Sequence, residues 1–481
     1  MMEKLFDVPL RPGGVEAWDM YVRRAGRDRI TTDTFFGCFD CHAYAQHTNI
    51  RTVCARAKGS GRIRLIHMNA AGERTAIDAA AGASLEQYSD GYLYLEVDDA
   101  GEGLPDEVWY EGEGTAKPVR LTIVICTYRR EETVLKNLKL LSETIRADLL
   151  LRECVDVICV DNGQTLTEVP AGVRLIPNAN YGGSGGYARG MMAAVEATHL
   201  WLMDDDIAFE PTLLRKVVTF LKYRKRDTVR LAAGMFSFEQ PMIQQEATAR
   251  FDGYTFHSNC NGLDFADAVM LLKNKIPENS RHLYGGWWSM VMPNTGELPM
   301  PFFIKLDDVE YGLRGQDYAV MNGFGVWHEA FGNKGNAWTE YYTTRNTLII
   351  QRMYPELGHS AVKTMGMRLL KALAYGAPKC MEAALKGVED YLAAPEKFDR
   401  VDPEKRHREV MERYGARLAA DMNRKKMLKR AVKNMAGKDA WRSIKLFCKG
   451  VRLLKREREC GTVWASMRTR EFWEKYLGLS E

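Results

Sequence analysis

The 481 residues carry 67 lysines and arginines against 63 aspartates and glutamates, with 46% apolar and 27% charged side chains. That balance suits a globular chain of two or three domains and excludes a disordered or collagen-like one. No run approaches the about 18 apolar residues of a membrane span, and the opening MMEKLFDVPLRPGG lacks a signal-peptide core, so an intracellular protein is expected.

Ten cysteines are scattered without a paired framework, which fits a reducing compartment. Cys38-x-x-Cys41-His42 has no second ligand pair near it and reads as ordinary strand or turn cysteines rather than a zinc site. From residue 1 to 117 short alternating segments, such as Arg62–His67 and Tyr92–Val97, are broken by Gly, Asn and Asp turns. This pattern predicts an antiparallel β-sandwich or barrel with Phe35, Phe36, Phe39 and Tyr44 as core. A carbohydrate-binding role is the alternative for those rings. Glu111–Pro118 reads as a linker.

After it strands alternate with helices, the grammar of an α/β domain with a parallel sheet over 118–355. The expected strands are Val119–Thr127, Val155–Val160, Val173–Ile176 and His199–Ile207, with helices over Glu131–Glu143 and Tyr187–Ala197. Each strand ends in polar residues: Thr127, Arg129 and Arg130; Asp161; Asn180; Asp204, Asp205 and Asp206. Ligands of open α/β sheets sit at such ends. Adjacent carboxylates repel one another, and a hard divalent cation relieves that cost; oxygen ligands suit Mn²⁺ or Mg²⁺. A solvated acidic loop is the bland alternative. Asp161 falls where a uracil or ribose contact is expected, and the arginines suit a diphosphate. In Tyr181-Gly-Gly-Ser-Gly-Gly-Tyr187 the glycines admit a ligand close to the backbone before a helix, although no Walker or dinucleotide fingerprint is present.

Further on, Trp287 and Trp288 read either as core or as platforms for sugar rings. Asp307 and Asp308 form a second acid pair behind an apolar run, and His328 follows Trp327. Residues 356–481 are expected to be helical and increasingly basic. From Arg424 to Arg458 cationic residues are interleaved with Trp441, Phe447 and Leu453, a pattern that suits an anionic membrane surface. A solvated or homo-oligomeric face competes with that reading, and no nucleic-acid motif accompanies the charge.

Six motifs in order are CTYRR at Cys126–Arg130, NANYGGSGGYARG at Asn178–Gly190, MDDDI at Met203–Ile207, GGWW at Gly285–Trp288, FIKLDDVEYGLR at Phe303–Arg314 and WH at Trp327–His328. Together they resemble the family 2 galactofuranosyltransferases that polymerise mycobacterial galactan. The resemblance implies a GT-A catalytic domain between a β-sandwich and C-terminal helices, and inverting transfer from UDP-galactofuranose. It implies that Asp204, Asp206 and His328 hold Mn²⁺ or Mg²⁺ and that Asp205 assists donor binding. Asp308 is then the general base with Asp307 beside it, and Trp287 and Trp288 line the acceptor site. A lipid-linked cell-surface glycan at the inner face of a membrane is the acceptor it suggests. Rhamnosyl or other hexosyl transfer is the alternative within the class, and a non-catalytic glycan-binding protein or a sugar nucleotidyltransferase lies outside it. The first strand ends in CTYRR rather than the Gly-rich loop usual in a nucleotidyltransferase.

Overall fold

The computed structural model describes residues 2–26, 29–98, 104–330, 335–393, 401–418, 424–455 and 464–479. Two antiparallel sheets build the N-terminal part. One has four strands ordered Glu3–Asp7, Glu107–Glu113, Thr52–Lys58 and Ala83–Ser84. The other has five, ordered Arg23–Arg24, Arg29–Thr31, Tyr92–Asp98, Arg62–Met68 and Arg74–Ile77. Val53, Ala55, Val108 and Tyr110 of the first face Leu65, Leu93, Leu95 and Val97 of the second in one core, the expected sandwich. Phe35, Phe36, Phe39 and Tyr44 are buried, so none offers a glycan a ring face. Cys41 opens a short helix, Cys41–His47, capped by the Asp40 carboxylate, and Cys38 and Cys41 are both buried and free.

The expected linker is only partly one. Glu111–Glu113 complete the strand Glu107–Glu113, because the alternation of that strand runs on through them. The rest is pinned: the Lys117 N–H donates to Lys222 O at 2.7 Å, and Asn49 bridges both polar groups of Thr115. Leu5, Phe6 and Tyr110 share a continuous core with Ile123, Trp201 and Leu213 of the next part, so the sandwich braces the sheet that follows.

That sheet has seven strands. In chain order they are β1 (Leu121–Thr127), β2 (Val155–Asp161), β3 (Val173–Pro177), β4 (His199–Asp204), β5 (Arg230–Ala232), β6 (Ser289–Pro293) and β7 (Tyr318–Ala319). Their spatial order is β3-β2-β1-β4-β6-β5-β7, with β1 to β4 parallel and β6 antiparallel to β4 and β5. Alternate residues face opposite layers. Ile123, Ile125, Trp201 and Met203 meet the sandwich-side core, while Val124, Leu200 and Leu202 meet the helix Gly182–Ala193. A parallel sheet buried on both faces is why these strands read as continuous apolar runs. This is the mostly parallel, doubly covered sheet that the GT-A resemblance implies.

Beside it a five-stranded sheet is ordered Ala208–Phe209, Gly325–His328, Gly234–Ser237, Ile243–Glu246 and Leu263–Asp264. Asp205 and Asp206 form the turn by which the chain leaves β4, at Asp204, for this second sheet. Helices Thr339–Met353, Ala361–Tyr375, Pro378–Ala393, Arg424–Asn434 and Lys438–Leu454 form the C-terminal part around Leu348, Met365, Cys380 and Met381. The last helix, Arg470–Tyr476, returns to the sheet: Trp473 is buried in the core of Val124 and Leu202, and its indole donates to Pro299 O at 2.9 Å. Of the basic stretch, Arg456 and Arg458 lie outside the described residues. Phe447 and Leu453, expected at a membrane, are partly buried against the helical core instead, whereas Trp441 is 64% exposed. Among the described residues no helix is long and apolar enough to cross a membrane.

Candidate active site

Asp204 is the last residue of β4, and Asp206 follows in the turn. His328 ends a strand whose Trp327 pairs with Ala208, so the second sheet's register delivers the imidazole to the acids. Ligand atoms of Asp204, Asp206 and His328 lie within 4.8 Å of one another. His328 Nε2 stands 3.1 Å from Asp206 Oδ1 and 3.9 Å from Asp204 Oδ2. Its Nδ1 pairs with Glu329 O at 2.7 Å; the carbonyl can only accept, so Nδ1 carries a proton and Nε2 is the nitrogen turned to the acids. Two carboxylates and an imidazole at this spacing fit a divalent ion such as Mn²⁺ or Mg²⁺. Burial pushes the carboxyl pKa of Asp204 up, and that of Asp205 to about 6. Burial alone would lower His328, but Asp206 and Asp204 draw it upward. The cluster is short of positive charge.

Arg130 supplies part of it. Its Nη1 donates to Asp205 at 2.9 Å and to Asp206 at 2.6 Å, while Thr127 Oγ1 donates to Asp205 at 2.7 Å. Both groups expected at the donor therefore hold the acid turn. Arg129 takes a left-handed φ of 54° and lies over the Tyr128 ring at 5.2 Å. Asp161 is buried and spends its carboxylate on its own loop, accepting from the amides of Gly163, Thr165 and Leu166 at 2.7–2.8 Å. Asn180 accepts from the Gly182 N–H at 3.1 Å.

The glycine segment differs from its expectation. It is itself the first two turns of the helix Gly182–Ala193, and its glycines serve packing. A Cβ on Gly186 would lie 2.0 Å from Cys126 Sγ, and one on Gly190 would lie 2.2 Å from Val124 Cγ1. The helix thus sinks onto β1, and this brings two polar groups to the acids. Tyr187 Oη donates to Asp204 Oδ1 and Met203 O at 3.0 Å, and Ser184 Oγ donates to Asp307 Oδ2 at 2.9 Å. Neither was singled out by the sequence. The signal available was the four-residue spacing of Gly182, Gly186 and Gly190, one face of a helix.

Asp307 and Asp308 open the helix Asp307–Leu313. Burial pushes both carboxyl groups up, and for Asp308 the Asp307 charge adds to it, to about 8. Glu246, to which no sequence signal pointed, also raises Asp308 from the end of its strand in the second sheet. The chain reaches this pair through Phe303, Lys305 and Leu306, all left-handed at φ of 67–72°. Side chains with a Cβ cost roughly 1–2 kcal/mol each in that region. Trp287 and Trp288, at 6% and 7% exposed, lie in different core clusters. The Trp287 ring meets Tyr187 edge-on at 5.1 Å, and the Trp288 indole donates to Ala233 O at 3.3 Å.

Residues 122–259 match the family described as Glycosyl transferase family 2. The chain therefore carries a family 2 glycosyltransferase domain on its GT-A sheet. Over 76% of its length it is 26% identical to the galactofuranosyltransferase GlfT2 of Mycobacterium tuberculosis and, equally, to that of Mycolicibacterium smegmatis. It spans 66% and 64% of those two relatives, which are longer, and is a galactofuranosyltransferase-like protein in this sense. Among solved structures, S. aureus TarS in complex with UDP-GlcNAc aligns at a TM-score of 0.36 and 10% identity, over 66% of this chain and 90% of that one. GalNAc-T7 with UDP, GalNAc and Mn²⁺ aligns at 0.34 and 9%, over 64% and 56%.

Proposed function

We propose that the protein moves galactofuranose from UDP-galactofuranose to a glycan acceptor with inversion, aided by Mn²⁺ or Mg²⁺ held by Asp204, Asp206 and His328. One turn of helix carries this reading: Ser184 touches Asp307 while Tyr187 touches Asp204. Residues three apart on a helix are neighbours, so one helix contacts both the charge-holding cluster and the proton-accepting pair. Glycosyl transfer needs that division, because the leaving diphosphate gains charge as the attacking hydroxyl loses a proton. When bound, the ion offsets the charge on the diphosphate. Arg130 and Thr127 keep Asp205 and Asp206 in place beside the donor. Asp161, Arg129 and Asn180 shape the nucleotide end through the loops they hold.

Asp308 accepts the acceptor hydroxyl's proton as that oxygen bonds to the anomeric carbon. The bond from this carbon to the diphosphate breaks, and UDP leaves with its electron pair. No covalent nucleophile intervenes, so the configuration inverts. Asp307 sits beside the base, and Trp287 and Trp288 act as a buried wall behind the acceptor end. The sugar assignment rests on similarity to the two GlfT2 proteins; rhamnosyl or another hexosyl transfer is the alternative. UDP release with acceptor glycan, measured across a panel of sugar nucleotides, decides it. Release from UDP-galactofuranose alone supports the reading, and release from none of them refutes it.

We assign the chemistry to residues 118–355, with 1–117 as a brace and 356–481 as the part that meets an anionic membrane at its cytoplasmic face, where a lipid-linked acceptor would lie. Leu428, Val432, Met435 and Trp441 are 49–75% exposed among the exposed Lys425, Lys429, Lys433, Lys438 and Lys445. Each cation near such a surface contributes about 1 kcal/mol. Reversing Lys425, Lys429 and Lys433 to Glu should abolish sedimentation with anionic liposomes. Equal sedimentation of that variant and the parent would instead leave this face as a solvated or homo-oligomeric one.

A further inference from the structure

We infer that Asn346 is a positioning residue for the transfer: with Arg345 it holds the left-handed turn that aims Asp307 and Asp308. This rests on the reading of Asp308 as the base. The turn Phe302–Leu306 lacks internal support of its own, and four successive carbonyls are each taken by a donor from elsewhere. Arg345 Nη2 donates to Phe302 O at 2.7 Å, and the Ser184 N–H donates to Phe303 O at 3.3 Å. Asn346 Nδ2 donates to Ile304 O at 3.1 Å and to Lys305 O at 2.7 Å. The orientation of the amide is settled, because Arg345 Nε donates to Asn346 Oδ1 at 2.9 Å and so leaves Nδ2 for the turn.

Asn346 is fully buried in the helix Thr339–Met353 and touches neither acid. Its role is backbone geometry. Without the amide, two part-buried carbonyls, those of Ile304 and Lys305, lose their donor, and the left-handed φ of Lys305 and Leu306 loses its anchor. Space for the turn to relax exists, since a cavity of about 130 Å³ lies behind Phe303, lined by Tyr341, Tyr342, Arg345 and Arg406. Leu306 O accepts the Glu310 N–H at 2.9 Å, so the turn runs directly into the helix that bears the acid pair. A shift there moves Asp308 and leaves Asp204, on β4, in place.

The test uses the full chain with Asn346→Leu, which keeps volume and removes the amide, and the double variant with Lys305→Gly. Lys305 is exposed, and glycine adopts its left-handed φ without an anchor. Asn346→Leu should speed amide hydrogen exchange across 302–309. It should lower kcat by tenfold or more, with donor KM and Mn²⁺-dependent UDP binding within twofold. Lys305→Gly should restore protection and several-fold of kcat. A purely structural role would loosen the whole helix and would not respond to Lys305→Gly. Unchanged exchange over 302–309, or no rescue by the glycine, overturns the inference. The exchange readout stands apart from activity: a wild-type chain that turns over no sugar nucleotide would refute the transferase, while exchange would still decide the role of Asn346. Should Asn346→Leu not fold, Asn346→Asp keeps the size and the Arg345 contact and removes both donated bonds.

Discussion

The two acid sites differ in what surrounds them. Asp204, Asp205 and Asp206 are met by Arg130, Thr127, Tyr187 and His328, whereas Asp308 has its own Val309 N–H at 2.8 Å and Asp307 the Ser184 hydroxyl. The first group has cations and donors gathered around it, which offset part of the burial that raises Asp204 and Asp205. The second is half-buried beside a like charge, which favours a proton. A pair of carboxylate sites with opposite environments is how one fold separates charge stabilisation from proton transfer.

The sharpest way to break that contrast is to remove the charge-gathering side. Asp206→Ala deletes one of three converging ligands and the partner of both His328 and Arg130. Transfer should fall by about 10³-fold, the several kcal/mol that a bound ion contributes to a transition state. Metal-dependent UDP binding should weaken with it. Full activity of the parent in excess chelator would end the metal reading. Asp308→Asn attacks the other side: it keeps the shape, removes the proton acceptor and should cost about 10²-fold or more in kcat. UDP affinity should stay unchanged. If Asp307→Asn were the inactive variant that still binds UDP, and Asp308→Asn were active, the two roles would be exchanged.

Proton affinity at Asp308 has opposite consequences for rate and stability. Its folded pKa is raised to about 8 by burial and by Asp307, against about 4 for an unfolded aspartate. The base form therefore grows as pH rises through about 8, and kcat/KM should climb on that limb. The stability held by the protonated group is fully present below about pH 4 and is lost as pH rises through about 8. Asp308→Asn escapes that loss, so its melting temperature should match the parent at pH 4 and exceed it at pH 9. Equal melting temperatures at pH 9 would place Asp308 in water rather than in a proton-holding site.

What the sequence revealed follows from where its signals were local. A buried strand with a polar tip needs only neighbours in the chain to be recognised, and β1 to β4 with their terminal acids were legible for that reason. His328 and the second acid pair became legible through motif resemblance. What stayed hidden is what packing decides. Glycine is a poor helix former, so Gly182–Gly186 read as a loop, yet contact of Gly186 with Cys126, and of Gly190 one turn on with Val124, selects glycine in that helix. That Arg130 also pairs with acids 75 and 76 residues away was hidden, because nothing local signals it. Ser184, Glu246 and Asn346 gave no sign, since each acts through a partner distant in sequence. The basic helices were legible as amphipathic, but not that Phe447 and Leu453 point inward while Trp441 points out.

The smallest expected effect probes the seam between the two acid sites. Ser184→Ala removes one hydrogen bond to Asp307 and leaves Tyr187 on Asp204. Losing it should cost about 1 kcal/mol, or roughly fivefold in kcat. The sign of the pH effect is more telling than the size. The Ser184 hydroxyl holds the Asp307 pKa down, so its loss leaves Asp307 more readily protonated. A neutral Asp307 no longer repels charge on Asp308, and the like-charge contribution to the raised Asp308 pKa shrinks. The limb of the kcat/KM profile should therefore move to lower pH even as the plateau falls. A shift to higher pH would mean that Ser184 supports Asp308 directly, and the reading of Asp307 as the neighbour whose charge raises Asp308 would have to be redrawn.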